Sequence, residues 1–264
     1  MSKTSRANIV CISCGESSDI EVYTSINVKQ DPELRDKVLD NKLFDFKCYS
    51  CGEVITTFHD VLYHDPINRF MVWLTKPDNQ NIIFFSKNSL RIMEILGEGC
   101  EGYKLRIARS PFHWIERIRT LECKMDDRII ELYKFGIKTK RKMPLETTND
   151  FLHFESYSRN FLSRTKLHWK IVYDDGGIEK FSENIDTRMY QNYEKLLSSL
   201  ELKTTDSWYL VDWQYPFGLE VPDDKIIFLT EKSKILEIQI DGSNQKIPSQ
   251  FLEVLKTTGK GKKI

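Results

Sequence analysis

The chain of 264 residues has little that marks the common functional classes. It holds no apolar run approaching the roughly 18 residues of a membrane-crossing helix. Its opening, MSKTSRANIV, lacks the apolar stretch of a secretory signal. The expectation is a soluble, cytoplasmic protein with no membrane among its partners. Net charge is also missing: 39 Lys and Arg balance 39 Asp and Glu, and neither half is polarised. That argues against a protein whose main task is to coat nucleic acid or anionic lipid. There is no P-loop, no dinucleotide fingerprint and no G-x-S-x-G elbow. Repeats of fixed period are absent, and no cysteine follows Cys123.

The cysteines that are present are concentrated. Four of the six fall in two copies of one phrase, Cys11-Ile-Ser-Cys14-Gly15 and Cys48-Tyr-Ser-Cys51-Gly52. In a reducing compartment such pairs are metal-binding or catalytic rather than disulfide-forming. Each pair puts two sulfurs across a tight turn, and the following glycine permits the backbone conformation that aims N–H groups at sulfur. Two such knuckles complete a tetrahedron, so Cys11, Cys14, Cys48 and Cys51 are the expected ligands of one ion. The 33 residues between Cys14 and Cys48 exceed the spacing of compact zinc modules. An inserted helix and strand account for them. A closed four-thiolate set leaves no position for water or substrate, which makes one structural zinc the leading reading. Iron is its competitor, because rubredoxin-like electron carriers hold their metal in the same geometry. A thioredoxin-like role requires a pair ahead of a helix, whereas strand-like sequence follows both pairs.

The surrounding pattern is α+β. Residues 8–10, 20–28, 43–47 and 54–62 read as strands, which sets each pair at a hairpin tip in a zinc-ribbon-like arrangement. Between the hairpins, Asp31 is placed to cap a short helix, Pro32 suits its first position, and Leu34, Val38 and Leu39 form its apolar stripe. Further strands are expected at 70–74, 82–85 and 104–109. A helix opens at Ser110-Pro111 with Phe112, Ile115 and Ile118 on one face. A second helix covers 126–135, with Ile129, Ile130 and Tyr133 inward and Gly136 as its stop. Residues 138–150 read as a linker. Beyond it, Leu167, Trp169, Ile171 and Tyr173 share one strand face, Asp175-Gly176-Gly177 turns the chain, and a hairpin returns. A helix over 187–200 capped by Asp186, and strands in SWYLVDW, KIIFLT and ILEIQI, complete a mixed α+β lobe. The last residues read as a disordered tail. The expected division is 1–137, a linker at 138–150, and 151–264, with the metal holding the first lobe and not the second.

Other candidates are weaker. His64 and Asp65 could pair as an acid/base site, but LYHDP reads more simply as a turn. No catalytic residue is assigned, although an enzyme using those two is retained as an alternative. His113, His153 and His168 read as isolated, and Cys100 and Cys123 as partly buried thiols. Asp126-Asp127 reads as charge complementing a helix N-terminus rather than as a metal pair. Lys138, Lys140, Arg141 and Lys142 form a basic cluster, and Lys260, Lys262 and Lys263 another. Through these loops RNA or DNA binding is the main alternative to a protein partner.

Over residues 9–137 the chain resembles the CpXC family, a bacterial and archaeal group of largely unknown function named for its cysteine pairs. The likeness rests on CISCG, INVKQDPELRDKVLDNKLFDFKCYSCG, LYHDPINRFMVWL and RIARSPFHWIERIRTLECKMDDRIIELYK. It implies the same four cysteines as metal ligands. The family name implies a proline after a cysteine, and here Ile12 and Tyr49 stand at those positions. Proline would stiffen the turn but supply no ligand. The resemblance implies no reaction. The sequence therefore leads to a metal-stapled, non-enzymatic interaction or regulatory protein whose C-terminal lobe, rich in aromatics, supplies much of the binding surface.

Overall fold

The computed structural model describes residues 2–74, 103–108, 110–141, 151–159, 165–173 and 175–185, and helical positions between 188 and 195. It also describes short strands at 208–209, 211–212, 225–229 and 235–239. Both strands and helices are present, in the α+β arrangement expected. The largest sheet has the strand order β1 (Lys3–Val10), β2 (Ser17–Asn27), β5 (Val61–Asp65), β6 (Phe70–Leu74), β7 (Lys104–Ala108) and β11 (Trp208–Tyr209). Strands β1 and β2 are an antiparallel hairpin, β2 and β5 run parallel, and β5 and β6 are antiparallel. Strand β7 is parallel to both of its neighbours, β6 and β11.

Between β2 and β5 the chain inserts helix α1 (Glu33–Leu39) and a small hairpin of β3 (Asp45–Lys47) and β4 (Val54–Thr56). Helix α2 (Pro111–Glu122) lies on one face of the sheet. Its Trp114, Ile115, Ile118 and Leu121 bury against Ile26, Val61, Tyr63, Phe70, Val72 and Leu74, and Leu34 and Val38 of α1 close the same core. Indole Nε1–H of Trp114 donates to the Val72 carbonyl at 2.9 Å, so the largest core side chain is also satisfied as a donor. Helix α3 (Asp127–Arg141) follows. A second sheet of β10 (Ile178–Ile185), β9 (Thr165–Val172) and β8 (Phe151–Arg159) is antiparallel throughout. Leu167, Trp169 and Ile171 are buried on one face of β9, and Tyr173 at its end is half-buried. The turn is the expected one, with Gly176 at φ 82° and Gly177 N–H bonded to Asp175 Oδ1 at 2.7 Å. Strands β12 (Val211–Asp212), β13 (Lys225–Leu229) and β14 (Ile235–Gln239) form a third sheet from the expected segments.

Several local expectations are corrected. The run 54–62 is two strands: Thr57 N–H bonds the Phe44 carbonyl at 3.0 Å, and His59 Nε2 meets the Tyr23 carbonyl at 3.0 Å, which breaks the ladder between them. Asp31 does not cap α1; its carboxylate accepts from Ser2 N–H at 3.1 Å, and Pro32 occupies the cap position. Ser110 does cap α2, accepting from His113 N–H at 3.3 Å, with Pro111 at the first helical position. Phe112 is exposed, because the sheet-facing stripe is set by Trp114 and its neighbours at helical spacing. Gly136 does not stop α3. Ile137 beyond it is buried, and burying another apolar turn outweighs the roughly 1 kcal/mol cost of a helical glycine. The strand at 82–85, the Asp186 cap, most of the proposed linker and the tail lie outside the described residues, as does Cys100.

Candidate metal centre

The two knuckles fold by the same hydrogen bonds. At the β1–β2 turn, Cys11 N–H bonds the Glu16 carbonyl and Gly15 N–H bonds the Cys11 carbonyl, both at 2.8 Å. At the β3–β4 turn, Cys48 N–H bonds the Glu53 carbonyl at 2.7 Å and Gly52 N–H bonds the Cys48 carbonyl at 2.9 Å. Gly15 and Gly52 stand at φ 74° and 77°, the left-handed region that the motif's glycine serves. The inserted helix and hairpin bridge the long gap between the pairs as the sequence suggested. Phe44 anchors the hairpin by packing its ring against Phe58, His59 and Trp114, with centroids 5.2, 5.2 and 5.9 Å away.

This frame brings all four sulfurs within 4.8 Å of one another. Cys11 and Cys51 Sγ are 3.6 Å apart, and Cys14 and Cys48 Sγ are 3.8 Å apart. A tetrahedron with metal–sulfur bonds of ~2.3 Å has edges of about 3.8 Å, so the cluster fits a single thiolate-bound ion. Cys11 and Cys48 are buried, whereas Cys14 and Cys51 face solvent. The N–H groups of Cys51 and Ser50 hold the Cys48 thiol down at about 7. At Cys14 the Glu16 N–H acts in the same direction, but desolvation and the other three sulfurs outweigh it and push the thiol up to about 12. Protons thus leave the cluster unequally, and a divalent cation would favour the ionised form of every sulfur.

The remaining candidates fall elsewhere. Asp65 is the acceptor of a turn, taking Ile67 and Asn68 N–H at 3.0 and 2.9 Å and the Asn68 amide at 2.6 Å. His64 instead places Nε2 3.1 Å from the Tyr103 hydroxyl. The turn reading therefore holds, and the two side chains do not form a dyad. Arg141 pairs with Glu179 at 2.7 Å and lies 3.6 Å over the Phe181 ring, which commits that member of the basic cluster within the molecule. Cys123 is half-buried, and burial raises its thiol. The second basic cluster lies outside the described residues.

Sequence reasoning missed a buried charged seam between α2, α3 and β8. Asp127 is bound by Arg106 through two nitrogens and by Arg117 at 3.1 Å; Arg117 also reaches Glu131 at 3.4 Å. Lys134 bonds Glu116 at 2.9 Å and Glu131 at 3.0 Å. Asp127 is thus the centre of a network and not merely a charge near a helix start. Asp126 caps the same helix, accepting Arg128 N–H at 3.0 Å, and its own N–H bonds the Tyr190 hydroxyl at 2.7 Å. His113 and His153 are not isolated, since their rings lie 6.4 Å apart beside this seam. The available signal was the run Asp127, Glu131, Lys134 along one line of α3, opposed by Glu116 and Arg117 on α2. Each line read alone resembles a solvated face.

Fold and sulfur cluster together define an α+β protein with four cysteines placed between two hairpin knuckles where they could hold one metal ion. Residues 9–134 match the family model described as CpXC protein, so that just under half of the chain is similar to that family. No curated protein and no solved structure matches the chain. Among the described residues no helix is long and apolar enough to cross a membrane.

Proposed function

We propose that the chain is a zinc-binding interaction or regulatory protein of the cytoplasm in which the metal is structural. The observation that carries this reading is the closed sulfur set: Cys11, Cys14, Cys48 and Cys51 lie within 4.8 Å of one another and would occupy all four positions of a tetrahedral ion. Such an ion staples the β3–β4 hairpin to the end of the β1–β2 hairpin and offers no position to a substrate. The thiolates suit a reducing compartment. A protein partner is favoured over nucleic acid by the zero net charge and by the internal engagement of Arg141.

Elemental analysis of the purified full chain tests the metal, with about one zinc per chain expected from four ligands. A red protein carrying iron would replace the reading with electron transfer. Turnover of nucleotides, RNA, peptides or esters by the metal-loaded chain, abolished by a pocket substitution, would overturn the non-enzymatic class.

A further inference from the structure

Strand β1 runs for eight residues, KTSRANIV, at the edge of the main sheet, with neither proline nor glycine. Its one irregularity lies at Lys3/Thr4, so the backbone from Thr4 to Val10 is a regular ladder against β2. Cys11 N–H bonds the Glu16 carbonyl in the same register, and antiparallel bonding alternates. Ser5, Ala7 and Ile9 therefore turn their backbone groups to β2, whereas Thr4, Arg6, Asn8 and Val10 turn theirs outward. Thr4, Arg6, Asn8 and Val10 are also exposed, and among the described residues β1 bonds only β2 within the sheet. A long, straight edge of this kind is what folded proteins normally shorten, bulge or cover.

We propose that β1 pairs antiparallel with β1 of a second copy of this chain about a two-fold axis at Ala7. In the register that uses every outward group, Thr4 faces Val10 of the partner subunit and Arg6 faces Asn8 of the partner subunit. The smallest side chain, Ala7, meets the partner's Ala7 at the closely spaced position. Charge selects this register. Asn8 donates to Asp19 at 2.7 Å on β2, so Arg6 arrives on the same face as Asp19 of the partner subunit. The Arg6 end of each strand thus meets the end of the other that lies beside Asp19 on β2. The pairing does not depend on which metal is bound.

Light scattering and sedimentation equilibrium of the full chain should give twice the 31.2 kDa chain mass at micromolar concentration. Arg6→Pro removes only an outward N–H, a position where an edge strand tolerates proline, and should weaken association at least about tenfold while the metal content stays unchanged. Should that variant misfold, Arg6→Glu is expected to weaken the dimer, and Arg6→Glu with Asp19→Arg to restore it. A chain that stays monomeric would overturn the proposal. So would a dimer equally tight in Arg6→Pro, or one whose charge exchange gives no recovery.

Discussion

The Glu116 carboxylate on α2 accepts the backbone N–H of Phe154 on β8 at 2.7 Å, while its other oxygen holds the Lys134 ammonium at 2.9 Å. One side chain thus ties helix α2 to the second sheet and helps to neutralise a buried cation. Glu116→Ala takes the acceptor from the Phe154 N–H and leaves the buried Lys134 with Glu131 alone, and is expected to cost about 3 to 5 kcal/mol in urea unfolding. Glu116→Gln keeps an acceptor for Phe154 and should cost less. A loss below about 1 kcal/mol in the alanine variant would show that the seam contributes little.

Acid should weaken the fold before it reaches ordinary carboxylates. Burial pushes His153 down to about 3 from 6.5, so the unfolded chain takes up that proton first as pH falls. Its contribution is fully present above pH 6.5 and drains away toward pH 3. Burial opposes the charged form of Glu116, but Lys134 outweighs it and the group lies at about 2 instead of 4.5. That contribution is present above pH 4.5 and is lost toward pH 2. Stability of the metal-free Cys48→Ser chain, which removes the thiolate contribution, should fall on the order of 2 to 3 kcal/mol between neutral pH and about pH 4. A flat profile over that range would contradict the burial of His153.

Loss of the metal should have a local effect. Cys48→Ser is expected to release the ion and open the two knuckles and the β3–β4 hairpin to protease. Ile26, Val61 and Tyr63 are locked in the core with Trp114, so β2 and β5 should stay protected. The β9–β10 hairpin should be unaffected. Limited proteolysis with mass mapping distinguishes this from collapse of the whole first lobe, the broader effect that the sequence suggested.

Gly15→Ala isolates the role of backbone conformation at the knuckle. An added Cβ would meet nothing within 4 Å, so the cost is that of φ 74° alone. At about 1 to 2 kcal/mol, that strain should lower metal affinity roughly tenfold in a competitive chelator titration. An unchanged affinity would mean that the turn relaxes without disturbing the sulfurs.

The knuckles, the inserted helix, the Ser110 cap and the Asp175 turn were legible because each is specified by a few adjacent residues. Glycine at positive φ, proline at a helix start and alternating apolar residues act locally. What was not legible depends on distant segments. Gly136 continues a helix because Ile137 finds a core to enter, and Asp127 is buried because Arg106 arrives from a strand 21 residues earlier. No local pattern separates a carboxylate awaiting such a partner from one facing water. The four cysteines of the cluster were nameable from spacing, but their convergence depended on Phe44 anchoring the second hairpin.

The family match ends at residue 134, inside helix α3, which runs from Asp127 to Arg141. Beyond that limit lie Ile137, buried, the Phe154 N–H held by Glu116, and β11, which pairs along β7. The matched segment therefore ends inside a network of contacts that continues beyond it. Excising it at residue 134 would cut a helix, take the Phe154 N–H from the Glu116 carboxylate and bare a flank of the main sheet. A durable recombinant fragment would need to carry β8 to β10 and the strand at 208–209 along with it.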